Sequence, residues 1–588
     1  MTKRTFQKML ALSLAGVLAM GSLTACGKKS NDEKEPAVSN NEGEKQNDSQ
    51  GSTNNGGNSG TTTVAGIDGW SAFDKNVTIT VPVYDRGKAG YLAVDDNYWT
   101  KYVQSEFGDK YNITVKYAAI PRGDVMTKYS MLIAAKQTPT ILMEYDYPKV
   151  TQWANDGAMQ TIDLNAFAQV APTYYQKMVD NNQLNYTDVN GETYFVLSER
   201  PYYNTPYTFV EFVRLDWLKQ VGYDYVPEDY DEWKDAVDKI VAAGLTNLAP
   251  INFSLPSQAY IANFGFRDFP ANEEEWVMHS SLGTPCFAWE PTYRMIKRQN
   301  IEYHDGWYSK EFDLDLQSTV GSQAETDFVN GKLLSFSGYM SPNVTWLNSF
   351  YENNPNAELA VKTVTVDAKL DGEYQKTVAL RADNPFGMII GFSSLATEDE
   401  LKAAWMYMEW MCQEKNLFVM ENGIEGVNFN YNENGIAEQI NLEGTGNEMM
   451  MNHNSNIDMT CIVRASKKVG NTIEDAIKAI SPQGLPQDFT QQLIDNYYAQ
   501  KQIADKGLAY SDPIFAVAIE EESEYSAALL SLYQEYFAKL IKCDTKDFDA
   551  LYNEYKQAYL DAGYQEIIDA RLDAYKAGKT TKLPDNSK

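Results

Sequence analysis

The chain has 588 residues and a formal net charge of −31 at pH 7, with 43% hydrophobic and 13% aromatic residues. One hydrophobic core rarely grows beyond about 250–300 residues, so this length predicts at least two domains. The acidic balance argues against nucleic acid as a partner, because phosphate binding needs a basic patch and the sequence shows none.

Residues 1–25 have the layout of a bacterial export signal peptide. Lys3, Arg4 and Lys8 are basic, and the apolar run MLALSLAGVLAM that follows them is too short to span a bilayer stably. The residues LTAC that follow resemble a lipobox, which implies cleavage before Cys26 and lipidation of its sulfur. An ordinary secretory peptide with a chance cysteine is the alternative. Two or more acyl chains, palmitate among them, would anchor the protein stably to the membrane.

Residues 26–76 are predicted to be the lipidated cysteine followed by a disordered tether. From 27 to 66 the chain is glycine, asparagine, serine and charged residues, with almost nothing to bury. A flexible linker of about 40–50 residues reaches roughly 35–40 Å on average. Together with the signal, this predicts a lipoprotein on the extracellular face of the cytoplasmic membrane of a Gram-positive-type bacterium.

The folded body begins with alternating strand and helix patterns. NVTITVPVY (76–84), NITVKYAAI (112–120) and TPTILMEYDY (138–147) predict strands, with amphipathic helices between them. This order predicts a parallel sheet with right-handed crossovers. In such sheets ligands bind at the carboxyl ends of the strands. The residues there are the first candidates for ligand binding: Tyr84, Asp85, Arg86, Tyr145, Asp146 and Tyr147.

Later segments shift toward helices. YDEWKDAVDKIVAA (230–243) and DELKAAWMYMEWMCQEKN (399–416) have helical periodicity, and ETDFVNGKLLSFSGY (325–339) predicts helix, turn and strand. From about 482 to 577 the pattern is nearly all helical. The whole predicts an α/β body with a helix-rich C-terminal region.

The stretch ENGIEGVNFNYNENG (421–435) sets aromatic residues among asparagines and glycines. Its Asn-Gly pair at 434–435 predicts a short hairpin, with Asn428–Tyr431 as the first strand. Two roles remain open for Asn428 and Phe429, namely contact with a ligand and bracing of a hinge. Bracing is favoured for Glu425 and the neighbouring glycines.

Several of these segments resemble extracellular solute-binding protein family 1, the lipoprotein receptors of ABC sugar importers. The resemblance rests on PTILMEYDYPKVTQWANDGAMQTIDL, on the Arg-x-Asp-Trp-Leu stretch from Arg214 and on DFVNGKLLSFSGY. GIEGVNFNYNENG also resembles a Gly-x-Glu-Gly-x-x-Tyr signature of the large Gram-positive oligosaccharide-binding type, with Phe429 in the aromatic position. The likeness extends over about residues 77–578. SERPYY stands where a simpler Leu-Pro turn is expected, which leaves the shape of the hinge open.

The resemblance implies a two-lobed, type II periplasmic-binding-protein-like α/β fold with a hinge of two or three strands. The first lobe would comprise residues 77–205 with 388–430. The second would comprise 206–387 with 431–578, including the C-terminal helices, before a flexible tail at 579–588. Ligand would bind between the lobes, and closure around it would signal the membrane permease.

A sugar-binding cleft should supply aromatic plates and planar polar side chains, because sugars present both C–H faces and hydroxyls. Beyond the strand ends, position and resemblance add five candidates: Tyr202, Tyr203, Gln258, Tyr339 and Trp346. The alternative for the tyrosines near the lobe crossing is packing in the hinge. For Arg86 the alternative is a salt bridge to a neighbouring acid.

The predicted function is therefore a monomeric, lipid-anchored receptor that delivers an oligosaccharide to ABC permease subunits, without cofactor or catalysis. A ligand-presenting sensor or a glycan-adhesion lipoprotein is the alternative. A glycoside hydrolase is less favoured, because no known catalytic motif accompanies the abundant carboxylates. The negative charge disfavours highly anionic glycans unless Arg86, Arg200 and Arg267 line the cleft or a cation bridges.

The four remaining cysteines, at 286, 412, 461 and 543, lack CxxC spacing, so isolated thiols are expected rather than a zinc site. DVNGET (188–193) resembles a hairpin turn of the family more than a calcium loop. Trp217, Trp405 and Trp410 occupy helical positions with apolar neighbours, which predicts core packing.

Overall fold

The structure is a computed structural model that describes residues 67–87, 92–200, 209–227, 230–246, 272–281, 284–315, 323–339, 345–362, 369–370, 373–374, 380–432, 435, 437–440, 455–464, 472–482 and 484–582. Within these ranges strands and helices alternate early and helices dominate late, as the sequence predicts. None of the helices in this part of the chain combines the length and apolar character needed to cross a bilayer.

The predicted strands and helices of the first 200 residues are confirmed within a few positions. The elements in order are β1 (Val77–Asp85), α1 (Tyr98–Val103), α2 (Asp109–Tyr111), β2 (Ile113–Pro121), α3 (Val125–Ala134), β3 (Ile141–Glu144), α4 (Tyr147–Asn155), α5 (Leu164–Val170), α6 (Pro172–Asp180), β4 (Asp188–Val189), β5 (Glu192–Thr193) and β6 (Val196–Leu197). A π-helical turn at Gln104–Gly108 joins α1 to α2. β4 and β5 pair antiparallel, so DVNGET is a hairpin.

The middle of the chain mixes short strands with helices. Its elements are β7 (Phe209–Arg214), α7 (Leu215–Gln220), α8 (Tyr230–Ala242), α9 (Glu273–His279), α10 (Glu290–His304), α11 (Gln323–Val329), β8 (Ser335–Tyr339), α12 (Thr345–Asn353), β9 (Leu359–Lys362), β10 (Lys369–Leu370), β11 (Glu373–Tyr374), β12 (Leu380–Arg381), β13 (Ile389–Phe392), α13 (Glu398–Cys412), α14 (Glu414–Asn422), β14 (Phe429–Tyr431) and β15 (Ala437–Gln439).

The C-terminal part is helical apart from one short strand. It contains α15 (Ser455–Thr460), α16 (Ile473–Ile480), α17 (Thr490–Asp505), β16 (Ala509–Tyr510), α18 (Glu520–Lys542), α19 (Phe548–Tyr559) and α20 (Gln565–Lys576). A π-helical turn at Leu560–Tyr564 joins the last two helices.

The strand pairing differs from the predicted parallel sheet in one respect. β1 and β2 pair parallel over their whole length, from Val77 with Ile113 to Asp85 with Pro121. The third predicted strand, β3, instead gives its backbone hydrogen bonds to β13, antiparallel, and β13 also pairs with β6. β13 arrives from a distant part of the chain, so no local pattern could indicate this partner.

Separate clusters of buried apolar side chains define the two lobes. The first-lobe core joins β1, β2, β3 and β13 to α13 and contains Ile79, Val81 and Ile389. In the second lobe, β7 lies between β8 and β9, and its side chains alternate between the faces of the sheet. Phe212 packs in one cluster with residues of α11, α12 and α17, while Val213 packs in another with α7, α8 and α18–α20.

The exact residue boundaries of the lobes stay a prediction. Met459–Val463, which the sequence assigned to the second lobe, packs in the first-lobe core. Trp217, Trp405 and Trp410 are buried, as predicted. Cys286, Cys412 and Cys461 are buried free thiols, and Cys543 is a half-buried free thiol.

The segment after β16 crosses between the two lobes. Ile514 lies in the first-lobe core, whereas the adjacent Phe515 packs with Trp276 on a second-lobe cluster. Ala516 N donates to Lys579 O at 2.9 Å, and Ala516 O accepts from Asn190 N of the β4–β5 hairpin at 2.8 Å. Lys579, the first residue of the predicted flexible tail, therefore braces this crossing.

Candidate functional site

The carboxyl ends of four strands meet along one edge of the first lobe. β1 and β2 are parallel, and β3 runs beside β1 in the same direction, because Thr80 N donates to Thr140 Oγ1 at 3.0 Å and Tyr84 OH donates to Glu144 Oε2 at 2.6 Å. β6 has the direction of β3, since both are antiparallel to β13. We call this the strand-end edge; it carries Arg86 after β1, Arg122 after β2, Tyr145 after β3 and Arg200 shortly after β6.

Tyr84 lies beneath the strand-end edge rather than on it. Its side chain is buried, and burial together with the Glu144 carboxylate raises its pKa above the usual range. The Arg122 guanidinium lies 4.8 Å from the centroid of the Tyr84 ring. Tyr84 thus forms the floor of the edge, while the next residue, Asp85, is exposed and its Oδ1 accepts from Gly87 N at 2.9 Å.

Arg86 forms a bidentate ion pair with Asp458 of α15. Its Nε donates to Oδ2 and its Nη2 to Oδ1, both at 2.8 Å. The Asp458 side chain is 4% exposed and that of Arg86 is 34% exposed. Burial raises the pKa of Asp458, and the hydrogen bonds and charge of Arg86 oppose that rise. Arg86 therefore forms the salt bridge that was the alternative to ligand contact, and part of its side chain still reaches solvent.

Tyr145 is half-buried on the strand-end edge. The Arg200 guanidinium carbon lies 6.0 Å from the centroid of its ring, within the range of a cation–π contact. Arg200 Nη1 lies 2.7 Å from Asp383 Oδ1. An aromatic plate bordered by guanidinium groups therefore stands at the centre of the edge.

The two residues after Tyr145 have structural contacts. Asp146 caps α4, because its Oδ1 accepts from Lys149 N at 3.2 Å. Tyr147 is buried, and its hydroxyl donates to Tyr186 O at 2.9 Å. Side-chain contact of Tyr147 with a ligand stays a prediction that this packing does not support.

Asp146 should make the free energy of unfolding depend on pH. Burial raises its pKa from 3.8 to about 6, against the opposing hydrogen bond from Lys149 N. The folded protein therefore holds this proton more tightly than the unfolded chain, and stability is lost as the pH rises from about 4 through about 6. Asparagine caps helices equally well and carries no charge. We expect Asp146→Asn to raise the free energy of unfolding by about 1–3 kcal/mol near pH 7.5.

Urea unfolding of the native protein and of Asp146→Asn, near pH 7.5 and near pH 3, checks this. Near pH 3 the two proteins should be equally stable, since the carboxyl is then mostly protonated in both the folded and the unfolded state. A gain of the same size at both pH values would contradict the proposed protonation.

Asn428 and Phe429 brace the backbone at the predicted hairpin. Asn428 is fully buried and its Oδ1 accepts from Ile424 N at 2.9 Å. The Phe429 ring meets those of Phe418 and Tyr431 edge-on. β14 and β15 pair antiparallel, which confirms the hairpin; Asn434 lies outside the described residues.

The other candidates are in the second lobe or beyond the described ranges. Trp346 is half-buried among Phe212, Phe328 and Phe336. Tyr339 ends β8 opposite Phe209. Outside the described residues lie Cys26, Tyr202, Tyr203, Gln258 and Arg267.

Sequence reasoning missed Arg122 and Asp458. Arg122 carried a usable signal, because it directly follows a predicted strand, as Arg86 does. Asp458 lies 372 residues from Arg86 and had no signal of its own.

Among the residues the structure describes, no group of three or more His, Cys, Asp or Glu side chains could hold a metal ion.

The chain is similar in sequence to one known protein family. The sequence model of a family described as bacterial extracellular solute-binding protein matches residues 89–416. No curated protein matches the chain at a significant level.

Solved structures with the same fold are numerous. An extracellular solute-binding protein from Bifidobacterium longum subsp. infantis is 14% identical, with 87% of this chain and 100% of that chain covered and a TM-score of 0.57. An S. pneumoniae ABC-transporter substrate-binding protein in complex with fructo-nystose is 12% identical, with coverage of 85% and 100% and a TM-score of 0.56. A calcium-free alginate-binding protein is 16% identical, with coverage of 86% and 99% and a TM-score of 0.55. At these identities the likeness shows the fold, which is the two-lobed type II fold of periplasmic binding proteins.

Proposed function

Because the chain belongs to the bacterial extracellular solute-binding protein family, we propose that it binds an oligosaccharide between its two lobes and delivers it to an ABC transporter permease. The protein acts in this proposal by binding and closure, without catalysis. Its partners are a carbohydrate and the permease subunits, and it works as a monomer.

The observation that carries the proposal is the composition of the strand-end edge. It combines a half-buried aromatic ring, Tyr145, with the guanidinium groups of Arg86 and Arg200 at the carboxyl ends of strands, where α/β folds bind ligands. Aromatic faces suit sugar C–H surfaces, and guanidinium groups donate to oxygen atoms. The fructo-nystose and alginate ligands named for two proteins of the same fold support the carbohydrate class.

We also propose that Cys26 is lipidated and holds the folded body outside the cytoplasmic membrane. The lipobox-like LTAC and the polar stretch from 27 to 66 support this arrangement. Cys26→Ala in the producing cell should move the protein from the membrane fraction to the medium. Retention in the membrane fraction would show that the anchor is something else.

A thermal-shift screen against oligosaccharides tests the binding function. A ligand at about one hundred times its Kd stabilises the folded state by about 2.7 kcal/mol, which raises the melting temperature measurably. Tryptophan fluorescence should change with the same titration midpoint. If no oligosaccharide shifts either signal, the proposed function is wrong; release of new reducing ends would instead indicate a glycoside hydrolase.

A further inference from the structure

Arginine is concentrated at the strand-end edge of an otherwise acidic protein. Three of the eleven arginines in the sequence, Arg86, Arg122 and Arg200, follow strands of the first lobe. The parallel register pairs Asp85 with Pro121, so the residues that follow, Arg86 and Arg122, emerge side by side. Neighbouring strands lie about 4.8 Å apart, which brings these two guanidinium groups within reach of one ligand.

Arg122 has no acid within ion-pair distance among the described residues. The contact the structure gives its guanidinium is the 4.8 Å approach to the Tyr84 ring, and its side chain is exposed. This differs from Arg86, which Asp458 holds in place from one side. Arg122 therefore offers its N–H groups to solvent or to a ligand.

Arg200 is only partly satisfied. Its Nη1 is paired with Asp383, whose side chain is 50% exposed, but its Nε is buried without an acceptor in the part of the chain that the structure describes. A buried donor left without a partner destabilises the folded protein. The buried Nε is closed to a ligand, so Arg200 contributes its positive charge beside the Tyr145 ring.

The strand-end edge has acidic side chains beside its arginines. Burial raises the pKa of the Tyr145 hydroxyl, with smaller contributions from Cys461 and Asp458, whereas Arg200 and Arg122 oppose that rise. Five acids near the edge have partners: Asp458 and Asp383 pair with arginines, Glu199 pairs with Lys177, Glu144 accepts from Tyr84, and Asp146 caps α4. Asp85 and Asp124 are exposed.

We propose that the strand-end edge is a subsite for a carboxylate-bearing sugar, so that the oligosaccharide bound is acidic, of the uronic-acid class. The inference rests on the proposed function and names its substrate class. A planar carboxylate matches the fork of a guanidinium group, which lysine could not supply, and Arg122 is the arginine free to provide it. The Tyr145 ring provides the plate against which the sugar ring lies. The high negative charge of the whole chain does not oppose this, because exposed charges beyond about 10 Å are screened at ordinary ionic strength.

Calorimetric titration of the full chain with matched ligands tests the proposal. The probes are trimers of galacturonic acid and of glucuronic acid, each beside its methyl ester, which has the same ring but no charge. We expect an acid trimer to bind at least about ten-fold more tightly than its ester, since a charge-assisted hydrogen bond contributes about 1.5–3 kcal/mol. The ratio should fall as salt rises from about 50 mM to about 500 mM. Tighter binding of esters or neutral oligosaccharides overturns the inference while leaving the function intact, and failure of every glycan tested overturns both.

The Arg122→Gln variant tests whether Arg122 causes the preference for the acid trimer over its ester. Arg122 is exposed, so this variant should fold normally, bind the acid trimer about ten-fold more weakly and lose much less affinity for the ester. Arg122→Lys should recover part of the loss, because it restores charge but not the fork. Lys116→Gln is the matched control, since it removes one positive charge from an exposed position on β2, the strand that leads to Arg122, away from the edge. Equal losses in the Arg122 and Lys116 variants, or no loss in Arg122→Gln, would place the acidic ligand elsewhere and overturn the subsite.

Discussion

Glu522→Gln is expected to lower the free energy of unfolding by about 3–5 kcal/mol. Glu522 of α18 and Arg571 of α20 form an ion pair in which the side chains are only 7% and 2% exposed. Arg571 Nε and Nη2 lie 2.6 and 2.5 Å from Glu522 Oε1, and Nη1 donates to Met278 O at 3.1 Å. The variant leaves the guanidinium charge buried without its counter-ion, and water cannot reach it to compensate.

A second acid of the same helix supplies the control. Glu535 pairs with Lys539 at 2.5 Å, but both side chains are about half exposed, at 52% and 51%. Exposed pairs contribute little to stability, so Glu535→Gln should leave the urea midpoint almost unchanged. The buried pair is also replaceable as a unit: Glu522→Leu combined with Arg571→Met should recover much of the loss, because two apolar side chains leave no buried charge. Equal effects of the two glutamine variants would contradict the role assigned to burial.

The elements that sequence reasoning placed well are those set by local pattern. β1, β2 and α13 follow from hydrophobic periodicity, and the β14–β15 hairpin follows from its turn residues. Each depends on residues a few positions apart, which a single sequence displays.

Pairings between distant segments were not predictable in the same way. Neither the Arg86–Asp458 nor the Glu522–Arg571 ion pair has a local signal, because 81 acids and 50 basic residues allow very many combinations. The partner of β3 depends on β13, which the chain reaches only after the second lobe. These contacts are set by tertiary packing, which only the folded structure displays.

The direction of individual side chains near the strand ends was also hidden. Val81, Val83 and Tyr84 of β1 are all buried, because this strand is covered on both faces. Alternation of exposed and buried positions therefore gives no indication of which residue faces a ligand. Tyr84 was accordingly grouped with Arg86 by sequence, although the structure buries the tyrosine under the edge.

Gly423→Ala is expected to cost about 2–4 kcal/mol of folding free energy, for two separate reasons. Gly423 follows α14 with φ 84° and ψ −148°, a conformation that is essentially confined to glycine. An added Cβ would also lie 2.4 Å from Cβ and Cγ of Asn428. Asn428 cannot move aside easily, because it is fully buried and its Oδ1 accepts from Ile424 N.

Gly426→Ala separates strain from overlap within the same turn. Gly426 has φ 75°, but a Cβ there would meet no atom within 4 Å, so only the backbone cost of about 1–2 kcal/mol remains. Urea unfolding of the two variants should show the larger loss at Gly423, with Gly423→Ala also loosening the hairpin that Asn428 and Phe429 support. Equal losses would mean that Asn428 yields to the new methyl group, and the bracing role inferred for this asparagine would then be wrong.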